Sequence, residues 1–395
     1  MLWGGTRPGR RSCLRSRRLA RRRWGSLGRW RFRSRRKLRR WRWMGEKLSE
    51  DKLVLVLGAG ASTEFDLPSG AKLKLQIADF FTFDRDQFGN IKGGDRNAHR
   101  IISELGRNSS EPKEATRDFY DAAESIHRNM AIAQSIDNFL HTHSSNSSIV
   151  RLGKAAIAHL ILAGEKASPL YVPNDNVYNR LNLKVVSQTW LGRLFTILTS
   201  GGDYEAFATR VQRIEFISFN YDRCVQQFFW HAVQGYFGKS SDDAAEFVRS
   251  LDISYVYGSV GEFKIGGLGF STFGGTDEAR VASQSIRTFT EGVSTSPNSP
   301  VARSLSGAKA VFFLGFGFHD LNLKALFSDN RFEVKGIFGT AKGLSDYTLQ
   351  DVKEKLSSHL WRRLNSNYQD KYEFERIRLV DKTCAELIFE FERVF

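Results

Sequence analysis

The chain has 395 residues, 41% hydrophobic and 26% charged, the composition of a folded globular protein rather than a disordered or fibrous one. Mean hydropathy is −0.37, and no uninterrupted apolar run reaches the roughly 18 residues of a membrane span, so none is expected. The formal charge of +16 belongs to the first 43 residues, which hold 18 Arg or Lys and no acid; without them 41 basic residues face 43 acidic ones, a charge of −2 that gives no reason to invoke nucleic acid.

In chain order, the basic tail 1–43 comes first and carries five of the eight Trp. So many like charges without patterned apolar residues cannot fold alone. Three readings stand: contact with nucleic acid (or a membrane surface) through phosphates and stacked Trp, an organellar presequence, or translated sequence ahead of a natural start at Met44. The rest, 44–395, reads as one domain. Leu53–Leu57 is an apolar run of strand length, and 70–81 reads as a helix. Residues 84–97 look like a loop. About 98–202 is helical in pattern throughout, with apolar stripes over 149–167 and 178–198, and reads as a large helical insertion. Strands return at 213–220, 252–261, 308–318, 332–340 and 372–380, with helices at 222–236, 320–328, 345–364 and 382–394. Alternating strands and helices predict an α/β fold, a Rossmann-like parallel sheet with helices on both faces. Residues 271–303, rich in Ser, Thr and Gly, read as a loop.

Residues with chemistry cluster at strand ends, the edge where open parallel sheets bind ligands. GAGAS, Gly58 to Ser62, follows the first strand; its glycines allow a tight turn and close approach to a pyrophosphate, although the third glycine of the usual fingerprint is Thr63. Pro68-Ser69-Gly70 follows as a short loop, with Ser69 able to cap the next helix. ISFNYD places Asn220 and Asp222 at another strand end, Asp222 also being able to cap. VYGSVG and LGFGFHDLN put Tyr257, Gly258 and Ser259, then Gly315, Gly317, His319 and Asp320, at two more. Cys13, Cys224 and Cys384 form no CxxC pair, so neither zinc nor a disulfide framework is expected and a reducing, cytoplasmic compartment is. His141 and His143 stand two apart on a helix and make a poor metal pair; no metal is expected.

Taken together, GAGAS with its nearby Pro, an N-x-D strand end, a Gly-Ser turn after a strand and a late glycine-rich strand end with Asp resemble the ordered landmarks of the sirtuin-like NAD-binding family. The chain is most similar to its prokaryotic, defence-associated branch, whose members carry a helical insertion and hydrolyse NAD; SIDNFLHTH (135–143) also resembles a segment of that branch. The resemblance covers roughly 52–340. It implies NAD contacts from Gly58, Ala59, Gly60, Ser62, Pro68, Gly258, Ser259, Gly315, Gly317, His319 and Asp320, and catalysis by Asn220, Asp222 and Tyr257. Asn220 would orient the water and Asp222 would hold ribose or amide. The chain departs from the sirtuin deacylases at Phe219 (Gln there), at Ser69-Gly70 (Phe-Arg there), in having no zinc ribbon, and at Tyr257, where the family has its catalytic His. Tyrosine titrates near about 10 and is a poor base at neutral pH, so lysine deacylation is not expected. The expected activity is hydrolysis of NAD to nicotinamide and ADP-ribose by an antiviral defence effector. The alternative is an inactive NAD or ADP-ribose sensor that regulates a partner. The expected partners are NAD, a second copy of the chain or a defence-system protein, and nucleic acid only through 1–43.

Overall fold

A computed structural model describes residues 52–395 except 174, 177, 265–271, 293–298, 328–331 and 360–375. The tail, and every reading of it, lies outside the described residues, as do parts of the expected 271–303 loop and of the segments at 345–364 and 372–380. Six strands, β1 (Leu53–Leu57), β2 (Ile214–Ser218), β3 (Asp252–Tyr255), β4 (Ala310–Leu314), β5 (Gly336–Thr340) and β6 (Ile377–Val380), form one parallel sheet. Their order is β3-β2-β1-β4-β5-β6. The chain builds outward from β1 to β3, then returns to the other side of β1 to lay down β4. That reversal opens a crevice beyond the carboxyl ends of β1 and β4. Leu57 pairs with both Ser218 and Leu314, so β1, β2 and β4 end level beneath it.

β1 is buried along its whole length, and its alternation assigns each residue to one of two packed layers. Val54 and Val56 face Ile77, Ile102, Leu152 and Phe313. Leu53, Leu55 and Leu57 face Trp190, Leu194, Phe207 and Phe229. The first layer is built by α2 (Gly70–Phe80), α3 (Arg96–Arg107), α4 (Pro112–Asn129), α5 (Ile136–Thr142) and α6 (Ser147–Ala167), reached from β1 through the four-residue turn α1 (Ala59–Ser62). The second is built by α7 (Trp190–Thr199), α8 (Tyr204–Val211), α9 (Cys224–Phe237) and α10 (Ser241–Arg249). After β4, α11 (Asp320–Phe327) and α12 (Asp346–Ser358) join the first layer and α13 (Cys384–Glu390) the second.

Side chains at the N-caps set many of these starts: Asp95 accepts from the N–H groups of Asn97 and Ala98, Asn146 from those of Ser148 and Ile149, and Thr383 forms a capping box with Glu386. The expected helix over 178–198 is broken. Thr189 accepts from the Gly192 N–H and donates to the Val186 carbonyl, so a new helix begins at Trp190. Helices of the 98–202 insertion contribute to both layers, with Ile102, Ile126 and Leu152 on one face of the sheet and Trp190 and Leu194 on the other. α6 is long and apolar enough to cross a membrane by length and composition. Arg151 and Lys154 interrupt its apolar run, and its Leu152, Ala156, Ile157 and Leu162 are packed in the first layer.

Candidate functional site

The glycines of GAGAS are required first by the protein itself. The Gly58 N–H donates to the Leu314 carbonyl (2.9 Å) and the Gly60 N–H to the Gly315 carbonyl (3.0 Å), which joins the turn after β1 to the turn after β4. A Cβ on Gly58 would stand 2.5 Å from the Gly315 oxygen, and one on Gly60 2.7 Å from the Gly315 Cα. Gly315 is left-handed (φ +57°), and a Cβ there would meet the Ala61 nitrogen at 2.1 Å. The N–H groups of Gly58 and Gly60 are therefore occupied by backbone partners. The better anion-facing end belongs to α2, which is 11 residues long. Ser69 caps it by accepting from the Lys72 N–H (3.3 Å), which leaves the first-turn N–H groups of Gly70 and Ala71 without an intrahelical acceptor. Both residues, with Lys74 one turn on, line the cavity that fills the crevice.

That cavity measures about 390 Å³, within the range of about 300–1,000 Å³ typical of small-molecule sites. Gly58, Ala59, Gly60, Ser62 and Pro68 line it from the β1 side, Asn220, Asp222 and Tyr257 from the ends of β2 and β3, and Gly315, Gly317 and His319 from the end of β4. Its wall holds a chain of buried hydrogen bonds. Asn220 Nδ2 donates to the Gly58 carbonyl and to Ser62 Oγ (2.9 Å each), and Ser62 Oγ donates to Asp222 Oδ2 (2.6 Å). A carbonyl can only accept, so the nitrogen of the Asn220 amide must face Gly58, and Oδ1 is the atom it can offer a ligand. Asp222 Oδ1 accepts from the Cys224 N–H (3.1 Å). Asp222 is thus a capping carboxylate, held at both oxygens, and it also fixes Ser62.

Tyr257 is fully buried, and its hydroxyl donates to Asn322 Oδ1 (2.9 Å). Burial, and secondarily the charge of Asp137, holds that hydroxyl far above the usual tyrosine range, so Tyr257 stays protonated. Two groups are better placed to exchange a proton. Burial lowers His319, so its imidazole is neutral near pH 7, and its ring makes no hydrogen bond among the described residues. Asp137, on α5, also lines the cavity; burial raises its carboxyl, against the bond it accepts from the Tyr221 hydroxyl (2.5 Å).

Neither a family model nor a curated protein matches this chain.

Three expected contact residues lie off the cavity lining. Gly258 (φ +74°) is a glycine because a Cβ would stand 1.9 Å from the Ser285 carbonyl oxygen, a packing contact. Ser259 turns its hydroxyl to the Gly261 carbonyl (3.2 Å). Asp320 is largely exposed and pairs with Lys355 (2.8 Å) on the surface. Conversely, Asp137, Ala71 and Lys74 reach the cavity without having been singled out as contacts. SIDNFLHTH marked the neighbourhood of Asp137, but its link to Tyr221 spans 84 residues and exists only in the fold.

Proposed function

We propose that the strand-end cavity takes NAD and that the chain hydrolyses it to nicotinamide and ADP-ribose. The observation that carries this reading is the buried Asn220–Ser62–Asp222 chain at the sheet's switch point, in one cavity with a neutral, unbonded His319. The bond from ribose C1′ to the pyridinium nitrogen breaks with its electron pair going to nicotinamide, which leaves neutral. Water adds to the oxocarbenium-like carbon. Asn220 Oδ1 accepts one hydrogen of that water, and His319 takes the proton it loses. Asp222 is a positioning residue that keeps Ser62, and through it Asn220, in place. The α2 start with Lys74 faces the pyrophosphate. The resemblance to the sirtuin-like family extends the proposal to a cytoplasmic role in antiviral defence, acting with a second copy or a defence-system partner. Two buried free thiols, Cys224 and Cys384, suit that compartment.

Incubating the protein with NAD and following nicotinamide by chromatography tests the reaction. Asn220→Ala and His319→Gln are each expected to slow release by about 10²-fold or more; release unchanged by Asn220→Ala overturns the site assignment. The second reading, a sensor that binds without cleaving, is favoured by Tyr257, which is locked to Asn322 and stays protonated where the family has a base. Calorimetry on the same preparation separates the two: saturable NAD binding without release supports the sensor, and no binding overturns both.

A further inference from the structure

A second cavity, of about 640 Å³, lies between the end of α6, the middle of α9, Phe263 and Lys264, and residues 272–277. Among the described residues its charged lining is Lys166, Arg180, Lys264 and Asp277. Trp230, Tyr171 and Phe263 supply aromatic wall, with Trp230 and Phe263 edge to face. Gln227 also borders it and is 3% exposed; its Nε2 donates to the Leu170 carbonyl (2.9 Å), while its Oε1 has no hydrogen-bond partner among the described residues. A buried acceptor left unpaired in a native structure calls for an explanation, and a missing ligand is one. His231 faces the same space as a neutral imidazole, pushed down to about 4 by burial and then by the charge of Arg180.

The wall is preformed. Arg223 and Glu165, both fully buried, pair at 2.5 Å. Arg223 Nη2 donates to the Thr272 carbonyl (3.0 Å) and the Gly274 N–H to Glu165 Oε2 (3.0 Å), so the ion pair holds the 272–274 turn against α6 and α9.

We propose that this cavity is a second ligand site, for a nucleotide whose base stacks against Trp230 and whose phosphates meet Lys166, Arg180 and Lys264. An inorganic polyanion would use the cations and leave the rings idle, and a neutral aromatic would do the reverse; a nucleotide engages both. The amine or ring N–H of its base is the donor that Gln227 Oε1 lacks. The site stands apart from whatever occupies the strand-end cavity.

Calorimetric titration of the full chain with ATP, adenosine and tripolyphosphate tests it. ATP is expected to bind at least tenfold more tightly than either fragment. Lys166 and Lys264 are both exposed, so the double variant Lys166→Glu/Lys264→Glu is expected to fold with unchanged Tm and to bind ATP at least tenfold more weakly. Gln227→Leu removes the orphan acceptor together with the donor to the Leu170 carbonyl, so it is expected to weaken ATP and to lower Tm as well, while His319→Ala in the other cavity leaves this affinity unchanged. Tripolyphosphate binding as well as ATP, affinity unchanged in the double-lysine variant, or no ATP binding at all would each overturn the proposal.

Discussion

Replacing Ser62 with Ala deletes one oxygen and breaks two hydrogen bonds, the 2.6 Å bond to Asp222 Oδ2 and the 2.9 Å bond from Asn220 Nδ2. Ser62 is 4% exposed and Asn220 and Asp222 are 7% exposed each, so water does not replace what is lost. A bond to a charged acceptor contributes about 1.5–3 kcal/mol and a neutral one about 0.5–1.5. Asp222 keeps the Cys224 N–H and Asn220 keeps the Gly58 carbonyl, which holds the expected loss to about 2–4 kcal/mol. With a urea slope near 3 kcal/mol/M, the midpoint falls by about 1 M. Far-UV circular dichroism reports the fold, and fluorescence of Trp190, whose indole N–H donates to the Ala61 carbonyl (3.0 Å), reports the same turn. Nicotinamide release should fall further than stability does, because the Asn220 amide is then held by one bond instead of two. Two coincident transitions with a loss below about 1 kcal/mol would refute the claim that these three side chains form one structural unit.

Steric requirement separates two glycines that border the same cavity. Gly315→Ala is expected to leave little soluble folded protein, because its Cβ would meet the Ala61 nitrogen at 2.1 Å. Gly70→Ala meets nothing within 4 Å and should raise stability by about 0.4–1 kcal/mol; equal losses in both variants, read by thermal melting, would sink the steric account. His231 makes the fold sensitive to acid. Its folded pKa of about 4 lies below the unfolded value of about 6.5, so the unfolded chain binds the proton first and stability is lost as pH falls from 6.5 towards 4. The full effect is about 3 kcal/mol, and His231→Leu should remove it. Urea midpoints at pH 7, 5 and 4 that fall equally in both proteins would contradict that.

The sheet was largely legible in the sequence, because a fully buried parallel strand such as Leu53–Leu57 is an unbroken apolar run and the glycine turns mark its end. Three strand ends, at Gly58, Asn220 and Gly315, do converge on one cavity. Gly258 stands off the cavity lining, and a left-handed glycine after a strand looks the same in sequence whether it faces a ligand or a backbone carbonyl such as that of Ser285. SIDNFLHTH pointed to the segment that holds Asp137, but its bond to Tyr221 joins residues 84 apart and no local pattern announces it. The second cavity draws on Lys166 and Arg180, on 227–234, and on Phe263, Lys264 and 272–277, stretches with no shared pattern that only packing unites. The break before Trp190 turned on one threonine hydroxyl, a local bond that periodicity does not weigh.

The junction of Gly58, Gly60 and Gly315 bears on how such chains change over time. Selection for a folded sheet is enough to keep those glycines, since each closes a backbone contact that any side chain would block. A copy of this chain that had stopped binding anything would still display GAGAS. His319 is under no such obligation: its ring lines the cavity and bonds to none of the described residues. A lineage that lost its chemistry would be free to lose that histidine first, so what stands at 319 in divergent copies is a better record of function than the glycines that draw the eye.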